Sequence, residues 1–323
     1  MPSAPDFGIS EELERVEKRI VESLTSEEEL LTEIASYVVG SGGKRIRPTI
    51  TLLAFYAAGG KDPSEAIEIA SAMELIHNAT LIHDDINDGG TLRRGLEAAY
   101  KKYGTSTSLV TGDFLFTRGF EIGGKFSDKI VGITARACVG LAEGEIKQLR
   151  NLRNIDLEAE EYIDIVTRKT ALPMSTGAEV GAILGGGTKA QIGALADYGL
   201  NLGICFQIVD DILDVIGNED VLGKPIGTDV REGSLTLIPI FALSNGASND
   251  REALRRILLK ERKTESDVSA ALGMLKKSGA VEQARGEAKS FAKTAKECLS
   301  VPLIEEFKER LVELADFVLE RSH

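Results

Sequence analysis

Residues 64–88 read SEAIEIASAMELIHNATLIHDDIND. Ile67, Ile69, Met73, Leu75, Ile76, Leu81 and Ile82 fall around most of a helical circumference instead of along one stripe, the pattern of a central helix buried on several sides. Gly89 and Gly90 end it. Working outward, the chain keeps the helical period almost everywhere. Leu13, Val16, Ile20 and Leu24 form one stripe behind a candidate N-cap at Ser10. Ser26 and Glu29 have the spacing of a capping box for a second helix that stops at Gly40, and a third helix is expected from Pro48 to Gly59. Further helices are expected at about 107–122, 128–151, 157–183, 189–216, 235–244, 251–260, 265–278, 280–297 and 302–321. Strand-like alternation is scarce and there are only eight prolines, so the fold class is all-α. No Pro/Ser-rich linker or repeat divides the chain, which reads as a single helical domain over 1–323 whose C-terminal helices occupy about 250–321. The longest irregular stretches, about 89–105 and 217–234, each follow directly after a cluster of aspartates.

Composition narrows the function. Thirty-eight Lys and Arg against 51 Asp and Glu give a net charge of −13, and the dense basic clusters, Lys44/Arg45/Arg47 and Arg93/Arg94, are too short to track a duplex, so no nucleic-acid partner is expected. Three widely spaced cysteines suit neither a disulfide framework nor zinc, and point to a reducing compartment. Three histidines argue against a His-based metal site. The polar N-terminus lacks a signal peptide, and no uninterrupted apolar run reaches the ~20 residues of a membrane span, so a cytoplasmic, non-spanning protein is expected.

The chemistry-bearing residues are the two aspartate clusters. Asp84-Asp85-Ile86-Asn87-Asp88 ends the central helix, and Asp210-Asp211-Ile212-Leu213-Asp214 ends the helix expected at 189–216. Eighteen aspartates in 323 residues predict about 0.05 such D-D-x-x-D windows by chance, so two are not an accident of an acidic surface. On a helix, Asp84 with Asp88, and Asp210 with Asp214, share a face and aim two carboxylates at one point. Their repulsion, worsened by the C-terminal end of the helix dipole, requires a cation. Oxygen ligands without His or Cys suit Mg2+, which keeps several waters and shares phosphate oxygens with a substrate.

The two clusters, together with Gly43-Lys44-Arg45-Ile46-Arg47-Pro48, Arg93-Arg94-Gly95, Lys169-Thr170, Phe206-Gln207 and Gly223-Lys224-Pro225, resemble the trans-type polyprenyl diphosphate synthase family over about residues 25–245. The resemblance implies one helical-bundle domain around a central cavity, with the clusters facing each other across its mouth, and usually a homodimer. The implied reaction condenses isopentenyl diphosphate with an allylic diphosphate (geranyl, farnesyl or geranylgeranyl diphosphate) by ionisation, condensation and elimination. Six carboxylates would hold about three Mg2+ ions around the leaving diphosphate. Asp84, Asp88, Asp210 and Asp214 are the expected direct ligands, and Asp85 and Asp211 are ligands or orienters. By similarity Arg93, Lys169 and Lys224 grip the same diphosphate, while Thr170 and Gln207 sit near the allylic carbon. Isopentenyl diphosphate must not ionise, so its site uses protein cations; Lys44, Arg47, His77 and Arg94 match it. His83 could orient the neighbouring aspartates. The resemblance also implies that no general base is needed, because released diphosphate takes the proton.

One departure is Gly233-Ser234-Leu235-Thr236-Leu237-Ile238-Pro239, where Ser234 replaces a family lysine that helps close the site. A terpene cyclase would have no use for Lys44, Arg47 and Arg94, and a non-catalytic subunit of a heteromeric synthase typically lacks the aspartates. Chain length is read from the central helix: short-product relatives carry an aromatic four or five residues before the first aspartate, where this chain has Thr80 and Ala79, and Ile76 and Met73 are left to form a lower floor. Opening one or two turns of about 5.4 Å each points to products of about twenty to thirty carbons, with twenty-five the best single value. Plugging by Phe114 or Phe116 would instead hold the product at about fifteen or twenty.

Overall fold

A computed structural model describes residues 7–218, 225–245 and 248–320. In chain order they form α1 (Ser10–Ser23), α2 (Glu29–Val39), α3 (Ile46–Ala57), α4 (Ser64–Asp88), strands β1 (Leu92–Arg93) and β2 (Leu96–Glu97), α5 (Ala99–Tyr103), α6 (Thr105–Gly123) and α7 (Asp128–Arg150). Then come α8 (Ala159–Val166), a π turn (Thr167–Ala171), α9 (Leu172–Leu184), α10 (Lys189–Ile216), α11 (Thr228–Glu232), α12 (Leu237–Asn245), α13 (Ser248–Leu258), α14 (Glu265–Lys277), α15 (Ala280–Cys298) and α16 (Glu305–Glu320). The all-α class holds: among the described residues the strands are confined to one two-residue antiparallel ladder.

The chain gathers into two compact units, one of Met1–Arg136, Pro173–Gly199 and Cys298–Leu314, the other of Ala137–Leu172, Leu200–Glu297 and Ala315–His323. In the first unit α4 is the packing axis, in contact with α1, α3 and α6. Its buried set runs from Ala66 through Ile69, Met73, Leu75, Ile76 and Ala79 to Ile82, around the helix as the sequence predicts. Close approach of α6 needs its glycines. A Cβ on Gly119 would lie 2.7 Å from Ile76 Cγ1, and one on Gly112 would lie 2.2 Å from His83 Nε2, inside any tolerable contact. In the second unit α12 packs on α8, α13 and α14.

Several boundaries differ from the expectation. Ser10 is the first helical residue with Ile9 at the cap position, and the capping box at Ser26 does not form. Instead the Ser26 hydroxyl accepts from Glu28 N–H two residues on, so α2 starts behind a tight turn. The third helix opens at Ile46, because Arg45 takes a left-handed φ of 50° and Pro48 fits within the first turn, where its missing N–H costs nothing. The helix expected at 157–183 is interrupted by the π turn.

Candidate active site

Asp84, Asp85 and Asp88 lie in the last turn of α4, which stops at Gly89 with a φ of 71°. The Arg93 guanidinium reaches back across the turn. Its Nε donates to Asp85 Oδ1 at 2.9 Å, and a second guanidinium N–H goes to the same oxygen. Burial works to lower the Arg93 pKa, but the hydrogen bond and the charges of Asp85, Asp84 and Asp88 outweigh it and hold the guanidinium above its ordinary value. Asp85, buried and bonded to Arg93, therefore has the geometry of an orienter. Asp84 and Asp88 are half-buried and one turn apart on a shared face. His83 packs away from them, its Nε2 3.3 Å from Leu109 O and 3.6 Å from Asp113 on α6.

Arg45, Arg47, Arg93 and Arg94 of this unit all lie close enough to His77 to act on its charge. Arg94 and Gly95 make the hairpin's two-residue turn, both at positive φ (52° and 80°), as a primed turn requires. Arg94 donates to Gly42 O, and its Nη1 lies 3.4 Å from Ser41 Oγ. Burial and the charges of Arg45, Arg93 and Arg47 lower the Arg94 pKa, with Glu74 opposing. Half-buried His77 is held well below its usual pKa of 6.5 by burial first, then by Arg47, Arg94, Arg93 and Arg45. It is thus a neutral imidazole at pH 7, where the sequence suggested a cation. Arg45 is spent structurally on Glu17 and, at 2.7 Å, on Glu74. Positive groups gathered against their own repulsion are the signature of a site built for an anion.

In the second unit the end of α10 carries the other cluster. Asp211 is 5% exposed; it accepts from Tyr162 Oη and, at 2.9 Å, from Gln207 Nε2. Burial drives its pKa up to about 7 against the lowering effect of both donors, with Asp210 and Asp214 adding to the rise. Asp214 differs from the expectation of a direct metal ligand. It is 2% exposed, and its two oxygens accept the backbone N–H groups of Thr228 (3.2 Å) and Asp229 (3.1 Å), so it anchors the start of α11. Asp210 stays half-buried. On the π turn, Thr170 Oγ1 donates to Gln207 Oε1 at 2.9 Å, and Lys169 Nζ sits 2.5 Å from Glu145 Oε2 and 3.4 Å from Gln148 Oε1. Lys224 lies outside the described residues.

Among the described residues no three His, Cys, Asp or Glu side chains converge tightly enough to cage a metal ion. The donor chemistry fits a hard, well-hydrated divalent cation that takes part of its shell from a diphosphate.

A family model described as polyprenyl synthetase matches residues 28–275. The chain belongs to this family. A short chain isoprenyl diphosphate synthase of Methanothermobacter thermautotrophicus is 38% identical over 316 residues, covering 96% of each chain. An octaprenyl diphosphate synthase of Haemophilus influenzae is 34% identical, covering 97% of this chain and 94% of its own. A polyprenyl synthase of Caulobacter crescentus, complexed with calcium and isoprenyl diphosphate, superposes with a TM-score of 0.95 at 35% identity over the whole of both chains. This polyprenyl synthetase is therefore a prenyltransferase that elongates isoprenyl diphosphates, in a metal-dependent family.

Three features of the synthase escape sequence reading. Tyr162 meets Asp211 across 49 positions, and no local sequence signal marks it. Glu145 partners Lys169 from α7. Beside Ser234, the side chains of Arg153 and Lys263 crowd Gly233, where an added Cβ would come within 2.7 Å of Arg153 Cγ and 3.5 Å of Lys263 Nζ. Among the described helices α10 is long and apolar enough to cross a bilayer by length and composition; half of its apolar window is buried, and its last turns carry Asp210, Asp211 and Asp214. Met73, Ile76 and Ala79 are all buried on α4, and Thr80 bonds its hydroxyl to His77 O.

Proposed function

We propose that this synthase joins isopentenyl diphosphate to geranyl, farnesyl or geranylgeranyl diphosphate, with Mg2+, to give all-trans products of about twenty to thirty carbons, with twenty-five favoured. The observation that carries the reading is the contrast within the first unit between the acidic end of α4 and the basic cluster of Arg47, Arg94 and neutral His77. An ionising diphosphate needs the first environment, and a diphosphate that must stay attached needs the second.

Asp84, Asp88 and Asp210 are the proposed metal ligands, with Asp85, Asp211 and Asp214 holding their surroundings in place. Bound Mg2+, about three ions as in the resembling family, would neutralise the leaving diphosphate as the carbon–oxygen bond breaks. Arg93, Lys169 and Lys224 add fixed charge to the same group; Lys169 would exchange Glu145 for phosphate oxygens. Thr170 and Gln207 lie beside the allylic carbon as it becomes cationic. Lys44, Arg47 and Arg94 bind isopentenyl diphosphate, and His77 donates a hydrogen bond to it. The new carbon–carbon bond forms, and the released diphosphate removes the proton. Thr80 and Ala79 leave the tail room to descend along α4 until Ile76 and Met73 stop it. The enzyme acts as a cytoplasmic homodimer, for which the exposed Leu109, Val110 and Phe120 of α6 supply an apolar face.

The two diphosphate sites are separable by mutation. Arg94→Ala is expected chiefly to raise KM for isopentenyl diphosphate, and Lys169→Ala chiefly to impair use of the allylic substrate. Selective weakening of the same substrate by both would refute the division.

A further inference from the structure

We infer that Glu17 and Glu74 are positioning residues for isopentenyl diphosphate: gripping Arg45 from two helices, they hold the loop of Gly42, Gly43 and Lys44 and the start of α3 where Lys44, Arg47 and Arg94 can bind it. The inference rests on the proposed assignment of Lys44, Arg47, His77 and Arg94 to that substrate.

The loop between α2 and α3 is made of residues that resist a fixed shape. It contains Gly42 and Gly43, and Lys44, Arg45 and Arg47 carry like charges within four positions. Arg45 itself takes φ 50° and ψ 32°, a left-handed backbone that an arginine keeps only when its surroundings hold it there. The side chain supplies that hold. Arg45 Nε donates to Glu17 Oε1 and Nη2 to Glu17 Oε2 at 3.0 Å, a two-pronged contact with α1, while Nη1 donates to Glu74 Oε1 at 2.7 Å on α4. Every nitrogen of the fork is engaged by a carboxylate. Glu74 is 3% exposed and the Arg45 side chain 11%, so water does not compete for the α4 half of the grip.

The groups that this grip fixes adjoin it on both sides. Glu74 lies three residues before His77 on α4, so its bond sets the loop against the helix that carries His77. The Arg45 carbonyl accepts from Thr49 N–H at 3.0 Å and from Thr49 Oγ1 at 2.8 Å, which starts α3 and places Arg47 in its first turn. Before Arg45, Gly42 O accepts from the Arg94 guanidinium, and a Cβ on Gly43 would come within 3.0 Å of Arg94 Nη2. The loop is therefore the surface on which Arg94 rests. A ligand that several cations bind together gains affinity when they are already in place, because nothing then has to be ordered on binding.

The test turns on the sign of one effect, measured on the full-length enzyme with Mg2+, isopentenyl diphosphate and farnesyl diphosphate. A carboxylate near an anion site repels the anion, so a Glu17 with no positioning role would, once neutralised, leave KM for isopentenyl diphosphate unchanged or lower it. Glu17→Gln is instead expected to raise that KM about three- to tenfold, with kcat and KM for farnesyl diphosphate unchanged. Arg45→Asn, in which asparagine tolerates the left-handed backbone, should raise the same KM, and on that background Glu17→Gln should add nothing. An unchanged or lowered KM in Glu17→Gln, even with a fall in Tm, overturns the inference, as does an equal rise for both substrates or a loss that multiplies undiminished onto Arg45→Asn. If Arg45→Asn does not fold, Glu17→Gln alone still decides by its sign. Arg94→Ala separates the two levels: with KM for isopentenyl diphosphate unchanged in that variant the substrate assignment itself fails, whereas a rise there without one in Glu17→Gln refutes the positioning role alone.

Discussion

Truncating Ile76 tests the chain-length reading and calibrates itself. Ile76 is 7% exposed on α4 and abuts the surface of α6 where Gly119 lacks a Cβ. Ile76→Ala removes three buried carbons, for an expected cost of about 2–5 kcal/mol. At about 2.1 cal/mol/K per residue, a chain of 323 residues has an unfolding entropy near 0.7 kcal/mol/K, so Tm should fall by about 3–7 °C. The same truncation lowers the proposed floor by about one helical turn, 5.4 Å, close to one extended isoprene unit. The main product should therefore lengthen by about one unit, read by extending farnesyl diphosphate with labelled isopentenyl diphosphate, dephosphorylating the products and separating the alcohols by length. A Tm drop in this range with an unchanged product distribution would refute the reasoning: the side chain would have left a cavity, but not in the path of the tail.

Other expectations follow from the two acidic ends and from His77. Asp84→Ala or Asp210→Ala should cut turnover by orders of magnitude while circular dichroism stays helical, and relief of like-charge repulsion should leave the apo Tm unchanged or raised; near-normal turnover would sink the metal assignment. His77, whose folded pKa is depressed, should remain neutral in the free enzyme well below pH 6.5, as read from imidazole NMR shifts. The unfolded chain takes up that proton near 6.5 and the folded chain only lower, so the stability contributed by neutral His77 is present above about 6.5 and lost as pH falls through the folded value. Binding of isopentenyl diphosphate should raise the His77 pKa, and a protonated His77 at pH 6 in the free enzyme would contradict its placement among the arginines.

What the sequence discloses, and what it hides, divides along the length scale of the interactions. The helices α4 and α10 were legible almost to the residue, because apolar side chains around their circumference and glycines at their ends act locally. The aspartates were legible as a pair of repeats, but their individual circumstances were not: Asp214 faces the backbone of Thr228 and Asp229, fourteen and fifteen positions on, and spacing alone cannot separate it from Asp210. The hairpin carrying Arg93 and Arg94 was hidden because an arginine at positive φ lacks the Asn-Gly signature of a primed turn. The π turn has no local sequence mark; Gly144 of α7 makes room for it, where a Cβ would come within 2.8 Å of Arg168 Cβ.

The central claim, that this synthase elongates an allylic diphosphate with isopentenyl units, is tested most directly by one incubation. Purified enzyme, Mg2+, isopentenyl diphosphate and farnesyl diphosphate should release one inorganic diphosphate for each isopentenyl unit consumed and yield prenyl diphosphates about one to three units longer than the primer. Farnesyl diphosphate recovered unchanged, or diphosphate released without consumption of isopentenyl diphosphate, would contradict the account.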